Sequence, residues 1–170
     1  DLRPGGDNAP YASDTAAMLA AFDAWGVSAA VKRFAGMFAF AVWDRTTRLL
    51  TLGRDRLGKK PLYFGKAGGD LVFASELKAL RAHPGFSAEL DPAAVDAFLR
   101  YSGIPAPLSI YRDARKVPPG TLVTFDAAGT EVSRETYWSV AGTFETALAA
   151  PFNGYPEEAL DEIARLLGTA

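Results

Sequence analysis

The chain has 170 residues, 49% hydrophobic and 22% charged, with 18 basic against 20 acidic residues and a formal charge of -2. That balance leaves no basic excess to drive binding to a phosphate backbone, and the apolar fraction is too high for a disordered chain. With no cysteine and a single histidine, His83, the sequence excludes disulfides and cysteine catalysis within itself and argues against a histidine zinc site or a Ser-His-Asp triad.

In chain order, residues 1–12 (DLRPGGDNAPYA) read as a loop or frayed end. Ser13 has the character of an N-cap, Asp14 falls in the first turn, and Met18, Phe22 and Trp25 mark one helical face that Gly26 ends. A short helix is expected over Ser28 to Arg33. Gly36 opens an apolar run from Met37 to Trp43, which reads as a strand buried on both faces. Asp44 to Thr47 is a hairpin turn, and Leu49 to Leu52 a second strand. Lys60 to Phe64 and Leu71 to Phe73 follow as strands around a turn at Gly65 to Gly69. Four strands joined by tight turns imply antiparallel pairing.

Ser75 is expected to cap a helix reaching Arg81 and ended by Pro84-Gly85. Asp91 caps another, with Pro92 at its first position. Gly103 to Leu108 is a proline-rich loop, and Pro118-Pro119-Gly120 leads into a strand, Thr121 to Phe125. A turn at Ala127 to Gly129 returns the chain as a partner strand over Glu131 to Trp138. Residues 139–154 read as an exposed linker, and residues 156–167 as an amphipathic helix with Leu160, Ile163 and Leu167 on one side.

Few residues suggest chemistry. The densest motif, Arg54-Asp55-Arg56-Leu57-Gly58-Lys59-Lys60-Pro61-Leu62-Tyr63, reads as a hairpin corner braced by charge, with Arg54 and Asp55 reaching different surroundings. Asp14, in a first helical turn, is stabilised by the backbone dipole; its rival role is to pair with an ammonium group on a ligand. Glu76 sits at a strand-to-helix junction, with nothing in the spacing to bring it near Asp14 or Asp55. His83 reads as a surface turn residue, Lys59-Lys60 and Arg112 to Lys116 as solvated clusters, and Phe38, Phe40 and Trp43 as core. Gly68-Gly69 lacks the spacing of a phosphate loop.

The motifs taken together resemble a known family. Ser13-Asp14-Thr15, Gly36 to Asp44, Arg54 to Tyr63 and Phe73 to Leu80 are similar to the later part of a class II glutamine amidotransferase domain of the asparagine synthetase family. Residues 91–138, including Val117-Pro118-Pro119-Gly120 and Tyr137-Trp138, resemble the remainder. The resemblance implies an α+β fold of the N-terminal-nucleophile hydrolase type, an αββα sandwich of antiparallel sheets, here incomplete at its N-terminus. It implies that glutamine is hydrolysed by an N-terminal cysteine and that the ammonia passes to a C-terminal synthetase domain, which amidates aspartate using ATP and Mg²⁺.

By the same resemblance Asp14 matches the carboxylate that holds the α-amino group of L-glutamine, and it is the one ligand residue carried over. The chain holds no catalytic residue, cofactor site or metal ligand of its own. Position 16 is Ala, where the family commonly has Glu.

The sequence opens on Asp1, with methionine only at positions 18 and 37. The expectation is therefore a processed chain or a piece of a longer protein: residues 1–12 a loop or disordered end, 13–138 the partial amidotransferase domain, 139–170 a linker and the first helix toward the absent synthetase domain. Cytoplasmic residence is expected, since no apolar run approaches the roughly 20 residues of a membrane span. No nucleic-acid or membrane partner is expected, and a homo-oligomer is allowed. Two other readings stand beside this one: a relative without the cysteine that closes a lactam or cyclises a peptide, and a scaffolding domain without catalysis.

Overall fold

Alternation of apolar side chains builds two antiparallel sheets whose inner faces meet. The computed structural model describes residues 13–168; the expected loop at 1–12 lies outside them. The described chain divides into two units, one ending at Trp138 and one from Ser139 onward.

The first unit opens with two helices, α1 (Asp14–Trp25) and α2 (Val27–Arg33). The Ser13 hydroxyl accepts the Ala16 N–H at 3.2 Å, so the predicted N-cap forms. Gly26, at φ 74°, both stops α1 and starts α2. Strands β1 (Ala39–Asp44) and β2 (Leu49–Arg54) form a hairpin, as do β3 (Tyr63–Ala67) and β4 (Asp70–Ala74). The helices α3 (Leu77–Arg81) and α4 (Pro92–Tyr101) follow, then β5 (Ala114–Lys116), β6 (Thr121–Phe125) and β7 (Glu131–Thr136). The larger sheet has the order β1-β2-β6-β7 and the smaller β4-β3-β5, every pairing antiparallel.

Parity along the strands sorts side chains into two cores. Leu52, Val123 and Phe125 of the larger sheet meet Leu62, Phe64 and Val117 between the sheets. On the other face of the larger sheet, Leu122 packs with Ala21, Ala30, Val31 and Phe34 of the helical layer. Phe22, Phe34, Phe38 and Phe40 form a chain of ring contacts there, with centroids 5.0 to 6.0 Å apart. Helix α3 lies against β3 and β4. The result is the expected α+β arrangement of antiparallel sheets flanked by helices.

Several local expectations need correction. The four consecutive strands form two hairpins in two different sheets, because residues 55–62 carry the chain from one sheet to the other. The turn between β3 and β4 shrinks to Gly68-Gly69, since Gly65, Lys66 and Ala67 continue the strand. Gly65 is required there: a Cβ would stand 2.1 Å from the Asp113 carbonyl oxygen of the neighbouring segment. Residues Ala114–Lys116, expected as a solvated basic cluster, are β5, with Ala114 fully buried. Helix α3 is preceded by Glu76, without a side-chain cap, in place of Ser75. Trp43 is 46% exposed although it shares the face of Leu50 and Leu52, because β1 is the edge strand of its sheet.

The second unit contains α5 (Val140–Ala149) and α6 (Pro156–Leu167). Helix α5 falls in the stretch expected as a linker. Ser139 accepts the Gly142 N–H at 3.0 Å, and Val140, Phe144 and Leu148 follow at helical spacing, so the helix signals outweigh the Pro, Asn and Gly that lie beyond it. Helix α6 starts at its proline, and the Glu158 carboxylate accepts the Tyr155 N–H at 2.9 Å. No described helix is long and apolar enough to cross a membrane.

The crossing between the sheets is held by Arg54 and Asp55. The Asp55 carboxylate is 1% exposed. It accepts the N–H groups of Leu57, Lys59 and Lys60 at 3.2, 2.9 and 2.9 Å, which folds the loop around it. Arg54 turns the other way and donates to the carbonyls of Lys60, Val117 and Gly58 at 2.8, 2.7 and 2.6 Å. The backbone of Asp55 accepts from Gly58 and Gly120 at 3.0 and 2.9 Å, and the Tyr137 hydroxyl donates to the Arg54 carbonyl at 2.7 Å. Each bond pairs a backbone group that has no partner in a sheet ladder at that point.

Replacing Asp55 by Ala removes one acceptor from three loop amides, and it is expected to cost about 3–5 kcal/mol of stability, read as a lowered denaturant midpoint. A Tyr137 test adds pH dependence. Burial, with the nearby Asp55 charge, pushes the Tyr137 phenol up to about 12, above the roughly 10 of an unfolded chain. The fold therefore prefers the neutral phenol. The stabilisation is complete below pH about 10 and is lost as pH rises toward about 12. Tyr137→Phe is expected to be less stable than the parent at pH about 8, by about 0.5–1.5 kcal/mol for the lost hydrogen bond. The difference should shrink or reverse near pH about 11.5, in denaturation curves taken at both values.

Candidate functional site

Asp14 lies at the first position of α1, where Ser13 directs the helix start. Its carboxylate is exposed and makes no hydrogen bond or ion pair with the described residues. It lines a recess of about 320 Å³ together with Ala17 and Met18 of the same helix and the segment Phe34 to Phe38. That volume falls at the lower end of small-ligand sites.

The recess follows from local structure. Helix α2 ends at Phe34, whose ring is 3% exposed and fixed in the helical core. Gly36, at φ 106°, then bends the backbone between Phe34 and Phe38, whose rings meet edge-on at 5.4 Å. Met18 and Met37 contribute flexible thioethers. Met37 is 63% exposed, so the recess opens to solvent on that side.

Its electrostatics are simple. Asp14 is the single charged residue among the eight described residues that line it. A carboxylate beside an apolar wall suits a ligand with one cationic group and an aliphatic body. The sequence singled out Asp14 but missed the wall: Gly36 between two phenylalanines was the available signal, and it read as the start of a strand.

Other candidates lie elsewhere. Arg54 and Asp55 build the loop described above and do not line the recess. Glu76 forms an exposed ion pair with Lys78 at 2.6 Å and is not part of the Asp14 recess. His83 sits in its turn, half-buried, with Nδ1 accepting the Gly85 N–H at 3.2 Å and Nε2 3.7 Å from Asp70. Among the described residues no group of three or more His, Cys, Asp or Glu is placed to hold a metal.

Comparison with known proteins gives a consistent result. A family model described as a glutamine amidotransferase domain matches residues 2–138. Asparagine synthetase [glutamine-hydrolyzing] 3 of Bacillus subtilis is 34% identical over 141 residues, covering 82% of this chain and 22% of that protein. A putative asparagine synthetase [glutamine-hydrolyzing] 2 of Methanocaldococcus jannaschii is 32% identical over 130 residues, 75% of this chain and 25% of that protein. The chain thus spans about a quarter or less of the relatives it matches. Among solved structures, a glutamine phosphoribosylpyrophosphate amidotransferase of B. subtilis, complexed with ADP and GMP, superposes with a TM-score of 0.55 at 19% identity, covering 80% of this chain and 25% of that one. That likeness shows the fold, which is of the N-terminal-nucleophile hydrolase type.

Because no described group relies on the Asp14 carboxylate, Asp14→Asn is expected to shift the melting temperature by no more than about 5 °C, as a lost helix-dipole contact would. Calorimetry checks this; a larger drop would make Asp14 part of the scaffold.

Proposed function

The chain belongs to the glutamine amidotransferase domain family, and on that premise we propose that it is the glutamine-binding part of a glutamine-dependent asparagine synthetase. Its role is to hold L-glutamine while ammonia is released for the amidation of aspartate by a synthetase domain. ATP and Mg²⁺ belong to that second domain, outside these 170 residues. The observation that carries the reading is that Asp14 is the lone charge among the described residues lining its recess.

In this mechanism Asp14 pairs with the α-ammonium of glutamine. The bond is charge-assisted and worth about 1.5–3 kcal/mol. The aliphatic stem lies along the wall that Met18, Met37 and Phe38 line. The helix start holds Asp14 in place, so the ammonium is fixed at one end and the amide is presented at the other. The nucleophile is not among these residues, since the chain contains no cysteine. The chain by itself is therefore proposed to release no glutamate.

The zero cysteine count also favours a second reading, a relative on the same scaffold that ignores glutamine and activates another carboxylate for lactam formation or peptide cyclisation. The two separate in one experiment on the protein at its natural length. The first reading expects glutamate release from glutamine and a KM for glutamine raised about 10- to 100-fold in Asp14→Ala, with synthesis from free ammonia unchanged. Absence of glutamate release, alongside ATP-dependent cyclisation of an acyl substrate, would establish the second reading instead.

A further inference from the structure

The inter-sheet layer ends in a second recess, of about 420 Å³, which the glutamine reading does not use. Strand parity explains its unusual lining. Phe64 and Lys66 lie two apart on β3 and face the same side. Leu71 is the cross-strand partner of Lys66, and Arg115 that of Phe64, so all four project from one face of the smaller sheet. That face is the one turned to the larger sheet, where Phe64 meets Phe125 with ring centroids 5.3 Å apart. Lys and Arg seldom face a core without a counter-charge.

The counter-charges are unequal. Arg115 is matched by Asp91 at 3.2 Å, Arg112 by Glu89 at 2.8 Å, and Glu131, across the recess, by Arg134 at 2.8 Å. Asp113 lines the recess with an exposed side chain, and its backbone carbonyl accepts the Lys66 N–H at 3.1 Å. Lys66 makes no ion pair among the described residues. Its ammonium spans the gap and donates to the Gly129 carbonyl, a neutral acceptor, at 2.7 Å. Two of its three donors remain for a ligand, directly beside an apolar floor of Phe64, Phe125 and Leu71.

We propose that this recess is a binding site for a small organic carboxylate with an aromatic or branched apolar body. The body rests on Phe64, Phe125 and Leu71. The carboxylate meets the Lys66 ammonium, with the guanidinium of Arg115 as a second donor. Gly129 keeps the site open: a Cβ there would lie 2.8 Å from the Leu71 Cβ and 2.9 Å from the Lys66 Nζ, filling the place that the ammonium occupies.

The test uses the protein at its natural length, with phenylacetate and its neutral isostere phenylacetamide as probes, followed by calorimetry and ligand-observed NMR. Phenylacetate should bind at least about tenfold tighter than phenylacetamide. Lys66→Met should reduce that preference to within about twofold. Thr130→Trp, at an exposed position on the rim, should block both probes without disturbing the fold, and so serves if Lys66→Met does not fold. Glutamate release should be unchanged in both variants, which separates this site from the Asp14 recess. No phenylacetate binding up to about 10 mM, equal binding of the two probes, or binding that Thr130→Trp leaves intact would overturn the proposal.

Discussion

A polypeptide that passes from one sheet to another must leave its ladder, and the peptide groups it frees have to be satisfied without water. Here that requirement falls on two consecutive side chains. Asp55 supplies acceptors to the loop amides, and Arg54 supplies donors to carbonyls of the loop and of the segment before β6. Opposite charges on adjacent residues face opposite ways, so each answers a different polarity of backbone group. Burial draws the Arg54 guanidinium below its ordinary pKa, with the Asp55 charge opposing that shift. These bonds shape the crossover, and the apolar side chains between the sheets pack them face to face.

The same division of labour separates scaffold from site. Buried Asp55 is engaged by backbone N–H groups and buried Asp91 by the Ala93 N–H and Arg115, and no buried side-chain nitrogen or oxygen of the described residues is left without a partner. The residues with spare capacity are exposed or half-exposed: Asp14 at a helix start, Lys66 at the end of a core. A carboxylate on a helix start is cheap to keep in place, because the helix stabilises it whether or not a ligand is bound. The proposed reading of Asp14 rests on its being the single charge among the described residues that line its recess.

Much of this was legible in the residues. Ser13, Asp91 and Pro92 marked helix starts because capping is a local bond that needs no tertiary partner. The hairpins β1-β2 and β6-β7 were visible through their turns. The short strand β5 was not, since three residues with two cations carry no alternation, and their pairing with β3 is set by contacts far away in sequence. The exposure of Trp43 is hidden for a related reason: an aromatic in an apolar run says nothing about whether its strand is central or at an edge. Asp14 could be singled out through resemblance and helix position, whereas the wall of its recess depends on how α2 ends at Phe34 and on the bend at Gly36.

Gly120 has a mechanical consequence. Its amide donates to the Asp55 carbonyl, and its own carbonyl receives the N–H groups of Tyr137 and Trp138 at 2.9 and 3.3 Å. A side chain at this position would collide with the Trp138 carbonyl oxygen at 2.1 Å. Trp138 is the last residue of the first unit. The strand that exits is therefore tethered to the same clasp that joins the sheets, and tension applied to the chain beyond it would be felt first at the crossover loop.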